Sequence, residues 1–248
     1  MRFFWLCAGA TFLYAGGMFL NDAFDADFDR QHRRQRPIPT SAITEREVWL
    51  SGFILLSAGA AMLFWIGRST AILTLLLIAC ILIYDAIHKA VAFSPVLMAG
   101  CRFFLYLIAA SISNNGVTGV AVWSAMALAA YIIGLSYLAR KETSRGPLRN
   151  WPSYFLFAPI LLALLVNDGG HQRQGFIIAF VVSAWIFWCL RYTFWKYQRN
   201  IGVTVSLLLA AIPLVDWLAV GGGTPAISLI FIGLFFSSLL FQKFIPAT

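Results

Sequence analysis

The sequence predicts an all-α protein, a polytopic transmembrane bundle of about nine helices surrounding a central cavity. Three observations predict it. Hydrophobic residues make up 60% of the 248 residues and charged residues only 11%, where a soluble domain carries roughly a quarter. Mean hydropathy is +0.81. The apolar residues also gather into runs near the roughly 20 residues a helix needs to cross a bilayer, with no alternation of polar and apolar positions that would mark a barrel. Lipid offers backbone polar groups no partner, so such runs are helices.

The runs fall in order at 3–20, 47–66, 69–87, 95–112, 118–138, 152–166, 174–195, 201–218 and 225–244. The run at 152–166 is short and that at 95–112 marginal. Pro152, Pro159 and Pro213 are expected near helix ends or at kinks, because proline lacks an N–H and clashes with the preceding turn. If the connections alternate sides, fourteen Lys and Arg residues fall on one side and Arg2, Arg68 and Arg173 on the other. Basic residues are retained on the cytoplasmic face, so residues 21–46 are expected to be cytoplasmic, at the inner membrane if the source is bacterial. Met1 then lies outside at the very start of a span, which predicts a helix upstream of it, lost to a misplaced start or a shortened chain. A cleaved signal peptide over 1–20 is the competing expectation, but cleavage would detach the anchor of the acidic stretch that follows.

Composition excludes other classes. Cys7, Cys80, Cys101 and Cys189 all lie inside apolar runs without metal-ligand spacing, and read as small buried hydrophobes rather than disulfides. The net charge of +8 comes from membrane-flanking loops, where anionic lipid or phosphate ligands attract it, so nucleic acid is not an expected partner.

The chain is organised around Asn21-Asp22-Ala-Phe-Asp25-Ala-Asp27-Phe-Asp29, directly after the first run. If the helix continues, Asp22, Asp25 and Asp29 stand at i, i+3 and i+7 on one face. Like charges on one face repel, so helix propensity does not explain them. A hard cation does: Mg²⁺ takes carboxylate oxygens and shares its remaining coordination with substrate phosphates. A solvated acidic helix end is the bland alternative.

Arg30-Gln-His32-Arg33-Arg34-Gln-Arg36-Pro37-Ile38-Pro39 follows, with a proline pair that breaks the helix and arginines close to whatever the carboxylates hold. Carboxylates and guanidinium groups together suit a metal–diphosphate ligand; an ordinary positive-inside loop competes for each arginine. The third run ends in Tyr84-Asp85-Ala-Ile-His88-Lys89, where a lysine is commonly a snorkelling anchor. Arg102 lies well inside a span, which is costly and points to a cavity or a partner, with an ion pair to Asp85 as the structural alternative. The fifth run ends in Tyr137-Leu-Ala-Arg140-Lys141-Glu142, a lone acid in a basic loop.

Taken together these residues resemble the UbiA family of intramembrane prenyltransferases over nearly the whole chain, read as one UbiA-like domain, 1–248. Asn21-Asp22-x-x-Asp25-x-x-x-Asp29 is similar to the family's first aspartate motif without a gap, Arg36-Pro37-Ile38-Pro39 to the loop after it, and Tyr84 through Lys89 to its tyrosine-plus-basic-pair edge. The resemblance implies Mg²⁺-dependent transfer of a prenyl group from a prenyl diphosphate to an aromatic or other small acceptor. It implies that Asp22, Asp25 and Asp29, with Asn21, hold Mg²⁺ and diphosphate, and that Lys89 and Arg33 or Arg36 contact the phosphates. Neutralising the leaving diphosphate lowers the cost of ionising the allylic C–O bond. Aromatic faces such as Tyr84, Phe103, Phe104 and Tyr137 suit the allylic cation. Arg102 and Glu142 complete the expected substrate-binding set.

Two departures stand out. The second aspartate motif survives only as Glu142, with Gly146 where a further acid would stand, and the usual first helix is missing while 225–244 adds a span. The lead-in Tyr14 to Met18, Arg102 and Arg140-Lys141-Glu142 look most like the EboC-like branch. A non-catalytic binder or carrier of isoprenoid or lipid diphosphates is the alternative expectation. A phosphatidyl-transfer enzyme would need a Gly after the first Asp and an Ala-Arg beyond, which Asp22 lacks, and no inverted repeat marks a transporter.

Overall fold

The computed structural model describes residues 1–143, 150–166, 172–197, 199–220, 224–242 and 244. Among them there is no strand. Eleven α-helices follow one another: α1 (Arg2–Phe24), α2 (Ala26–His32), α3 (Glu45–Phe64), α4 (Arg68–Ile87), α5 (Ser94–Ser111), α6 (Gly119–Thr143), α7 (Ala158–Val166), α8 (Gln172–Phe194), α9 (Ile201–Ala210), α10 (Ile212–Val220) and α11 (Pro225–Phe241), with a 3-10 helix (Trp151–Phe157) before α7. Seven stretches are long and apolar enough to cross a membrane: α1, α3, α4, α5, Gly119–Glu142, Gln174–Phe194 and Ile201–Val220. The chain is therefore a polytopic helical membrane protein. Each of the nine apolar runs coincides with a helix or a helix pair; the stretches Trp151–Leu165 and Pro225–Phe241 are shorter than the other seven.

Prolines account for two interruptions. Pro152 opens the 3-10 helix, so the sixth run enters in a tighter coil before α7 begins at Ala158. α9 ends three residues before Pro213 and α10 resumes at Ile212, because the ring removes a donor and crowds the carbonyl four residues back. The marginal run at 95–112 is a full helix, α5, which opens with Pro95 in its first turn, where the missing N–H is no loss.

The helices fall into two compact units, Met1–Ala121 and Val122–Thr248. In the first, α1 and α3 pack along their lengths. Leu6, Gly9, Leu13, Gly16, Leu20 and Ala23 are the buried residues of α1, spaced alternately three and four apart as a helix–helix seam requires. α3 answers with Val48, Gly52, Leu56, Gly59, Ala60 and Leu63. The glycines let the backbones touch: a Cβ on Gly16 would stand 2.8 Å from Leu56 N, and one on Gly59 2.7 Å from Gly9 O. Without a hydrophobic drive between helices in lipid, such close van der Waals contact is what holds a pair together. Leu77 of α4 and Ile108 of α5 extend the same core. α3 starts in a reciprocal cap, Thr44 Oγ1 accepting from Glu47 N while the Glu47 carboxylate accepts from Thr44 N.

In the second unit Tyr131 of α6 is fully buried and its hydroxyl donates to the Leu208 carbonyl at 2.8 Å. Trp185 Nε1 of α8 donates to Leu207 O at 3.1 Å. Thr193 and Thr204 share a buried hydroxyl bond of 2.7 Å that ties α8 to α9. Each joins polar atoms that lipid would leave unsatisfied.

Candidate active site

The expected unbroken helix through Asp29 is interrupted once. α1 stops at Phe24, and Asp25 sits in a turn with φ −85° and ψ −5° before α2 begins. The helical hydrogen bonds nevertheless run on: Asp25 N donates to Asn21 O, Asp29 N to Asp25 O and Arg33 N to Asp29 O, at 3.0, 2.9 and 2.8 Å. The face is thereby kept, and the seam of α1 carries into it: Asp25 and Asp29 are buried, 7% and 2% exposed, with Asp22 half-buried beside them. Asp27, on the opposite face, is exposed and paired with Arg30, which also reaches Glu45 at 2.6 Å. Those bonds, to Glu45 and then Asp27, push the exposed Arg30 guanidinium above its ordinary value.

Cations reach this face from two elements. After α2 the Pro37-Ile38-Pro39 segment curls back, with Thr40 N and Oγ1 both donating to Arg36 O. The curl sets Arg36 NH1 2.6 Å from Asp22 Oδ1 and its Nε 3.8 Å from Asp29 Oδ2. From the end of α4, Lys89 Nζ stands 2.6 Å from Asp25 Oδ1 and 3.9 Å from the centroid of the Phe28 ring. His88 Nε2 lies 3.6 Å from the same Asp25 oxygen, its ring stacked on Tyr84. Arg33 is half-buried at the end of α2.

Sequence reasoning missed one member. Asp85, 6% exposed, accepts a hydrogen bond from Asn21 Nδ2 at 3.0 Å. It is not the ion-pair partner of Arg102, which is half-buried on α5. The available signal was its spacing: Asp85 precedes Lys89 by four residues, so both fall on one face of the α4 end.

Two residues of the expected set belong to the second unit. Tyr137 is half-buried, with Lys141 Nζ 5.9 Å above its ring. Glu142 is exposed and lies over the first turn of α9, its Oε1 2.6 Å from where a Cβ on Gly202 would be. It borders an open cleft of about 820 Å³ with Trp185, Trp188, Asn200 and Gln242. Gly146 lies outside the described residues.

Among the described residues no three His, Cys, Asp or Glu side chains stand close enough to hold a metal ion by themselves. Asp22 is taken by Arg36 and Asp25 by Lys89. At this cluster the buried carboxylate oxygens Asp29 Oδ1 and Asp85 Oδ2 have no hydrogen-bond partner among the described residues. An oxygen-only donor set with unsatisfied buried lone pairs fits a hard divalent cation that takes one or two carboxylates and completes its shell elsewhere.

Buried aspartates paired with a lysine and an arginine at the ends of long apolar helices define a class: a polytopic helical membrane protein with a charged cluster at its helix ends. The chain belongs to the UbiA prenyltransferase family, whose model matches residues 1–200. The match covers the acidic face, the α4 edge and Glu142, and ends before α9 to α11. No curated protein and no solved structure gave a significant match.

Proposed function

We propose that the chain, as one UbiA-like domain, is a Mg²⁺-dependent prenyltransferase. It moves a prenyl group from a prenyl diphosphate to an aromatic or other small acceptor at the cytoplasmic face of the membrane, the inner membrane in a bacterium. The observation that carries this reading is the pairing of buried Asp25 and Asp29 with Lys89 and Arg36 at one rim. Carboxylates and cations now neutralise each other. A metal diphosphate would replace both halves of that pairing at once, metal on carboxylate and phosphate on cation.

Asn21, Asp22, Asp25 and Asp29 would hold Mg²⁺, which when bound withdraws charge from the leaving diphosphate. Lys89, Arg36 and Arg33 bind and orient the phosphate oxygens, and Tyr84 and Arg102 contact the prenyl substrate. Aromatic faces exclude water from an allylic cation and stabilise it. Within the family, Tyr14 to Met18, Arg102 and Arg140-Lys141-Glu142 support the EboC-like branch.

One observation favours a second reading, a diphosphate binder or carrier without turnover: Glu142, the remnant of the second acidic motif, is packed against the start of α9. Purified protein given Mg²⁺ and a labelled prenyl diphosphate separates the two. Diphosphate release that depends on acceptor, and is abolished by Asp25→Asn, supports the enzyme. Tight binding without release across a broad acceptor panel supports the carrier.

A further inference from the structure

We propose that Asp85 is a positioning residue of the acidic site: it turns the side-chain amide of Asn21 so that the amide oxygen faces the cation. The inference rests on the Mg²⁺ reading above. An asparagine side chain has a broad, nearly two-fold preference about its last torsion, so by itself it offers oxygen or NH₂ with little bias. Only the oxygen serves a cation; the NH₂ end would repel it. An ionised carboxylate accepts hydrogen bonds and donates none. Placed 3.0 Å from Asn21, Asp85 therefore draws the nitrogen and frees Oδ1.

The placement is part of a register. Asp85 meets Asn21, and three to four residues further along each segment His88 and Lys89 meet Asp25. The ends of α1 and α4 thus run side by side in the same direction, with partners four residues apart on each. The end of α4, which leads into the cation Lys89, thus also fixes the first oxygen of the motif. Burial makes this costly, since Asp85 Oδ2 has no hydrogen-bond partner among the described residues. A carboxylate held there with one bond is poor structural cement, because a buried polar group left short of partners keeps its desolvation cost uncompensated. That cost is a reason to look for a role outside stability.

A double-mutant cycle tests it on the purified full chain without substrate, with Mn²⁺ as the probe and binding followed by loss of the free-ion electron paramagnetic resonance signal. Asp85→Asn keeps the volume but removes the charge that sorts the amide; Asp85→Ser serves if the first variant does not fold. Each, like Asn21→Ala, should weaken Mn²⁺ binding roughly tenfold, the usual scale for groups that orient a ligand. Combined with Asn21→Ala, the Asp85 variant should cost nothing further. Wild-type affinity in the Asp85 variants, or losses that multiply in the double variant, would overturn the positioning role while leaving the metal reading intact. A wild-type chain that takes up no Mn²⁺ would overturn both.

Discussion

Lys89 Nζ stands 2.6 Å from Asp25 Oδ1, so the ammonium expected to bind phosphate is already bound to a carboxylate expected to bind metal. The pair is partly screened, with the lysine side chain 37% exposed and the aspartate 10%. Its worth therefore falls between that of an exposed pair and a buried one, about 1–3 kcal/mol. Lys89→Met removes a competitor for Asp25 and a partner for diphosphate together. It should tighten Mn²⁺ binding in the absence of substrate and weaken prenyl diphosphate binding, both by several-fold. Calorimetric titration of each ligand checks the opposite signs; movement of both in one direction counts against the exchange.

Asp25 and Asp27 are two residues apart and face opposite ways. Asp25→Asn should reduce diphosphate release at least 100-fold, and chelation of divalent ions should do the same to the wild type. Asp27 is 91% exposed in its side chain, so Asp27→Asn should stay within about twofold, as exposed ion pairs contribute little. Steady-state rates of the two variants measured side by side decide whether the face, rather than the local density of acid, carries the activity.

Arg36 spans Asp22 and Asp29, 2.6 and 3.8 Å away through different nitrogens. A lysine ammonium is a point charge and cannot make both contacts. Arg36→Lys is expected to raise KM for the prenyl diphosphate about tenfold while lowering kcat less. An unchanged KM would place the phosphates elsewhere.

The α1–α3 seam should be intolerant of a single methyl. In Gly16→Ala the new carbon meets Leu56 N at 2.8 Å, and backbone cannot swing aside. Overpacking of this kind costs typically 1–3 kcal/mol. Gly233→Ala in α11, where nothing lies within 4 Å, should be neutral or slightly stabilising. Thermal unfolding in detergent reads both. Because the acidic face continues the seam, Gly16→Ala should also lower diphosphate affinity.

The sequence by itself determined the helical class, the positions of the apolar helices and the composition of the acidic face. Hydropathy over about 20 residues and a three-to-four residue spacing are local properties, legible wherever they occur. The face even survives the break at Asp25, since the i to i+4 bonds from Asn21 to Arg33 bridge it. Only the tertiary structure decided the partners. Asn21 and Asp85 are 64 positions apart, and their meeting depends on how α4 lies against α1, which side-chain packing sets and local periodicity does not encode. For the same reason Arg102 and Asp85, both polar and both in spans, suggested an ion pair in sequence, whereas the fold gives that carboxylate to an amide.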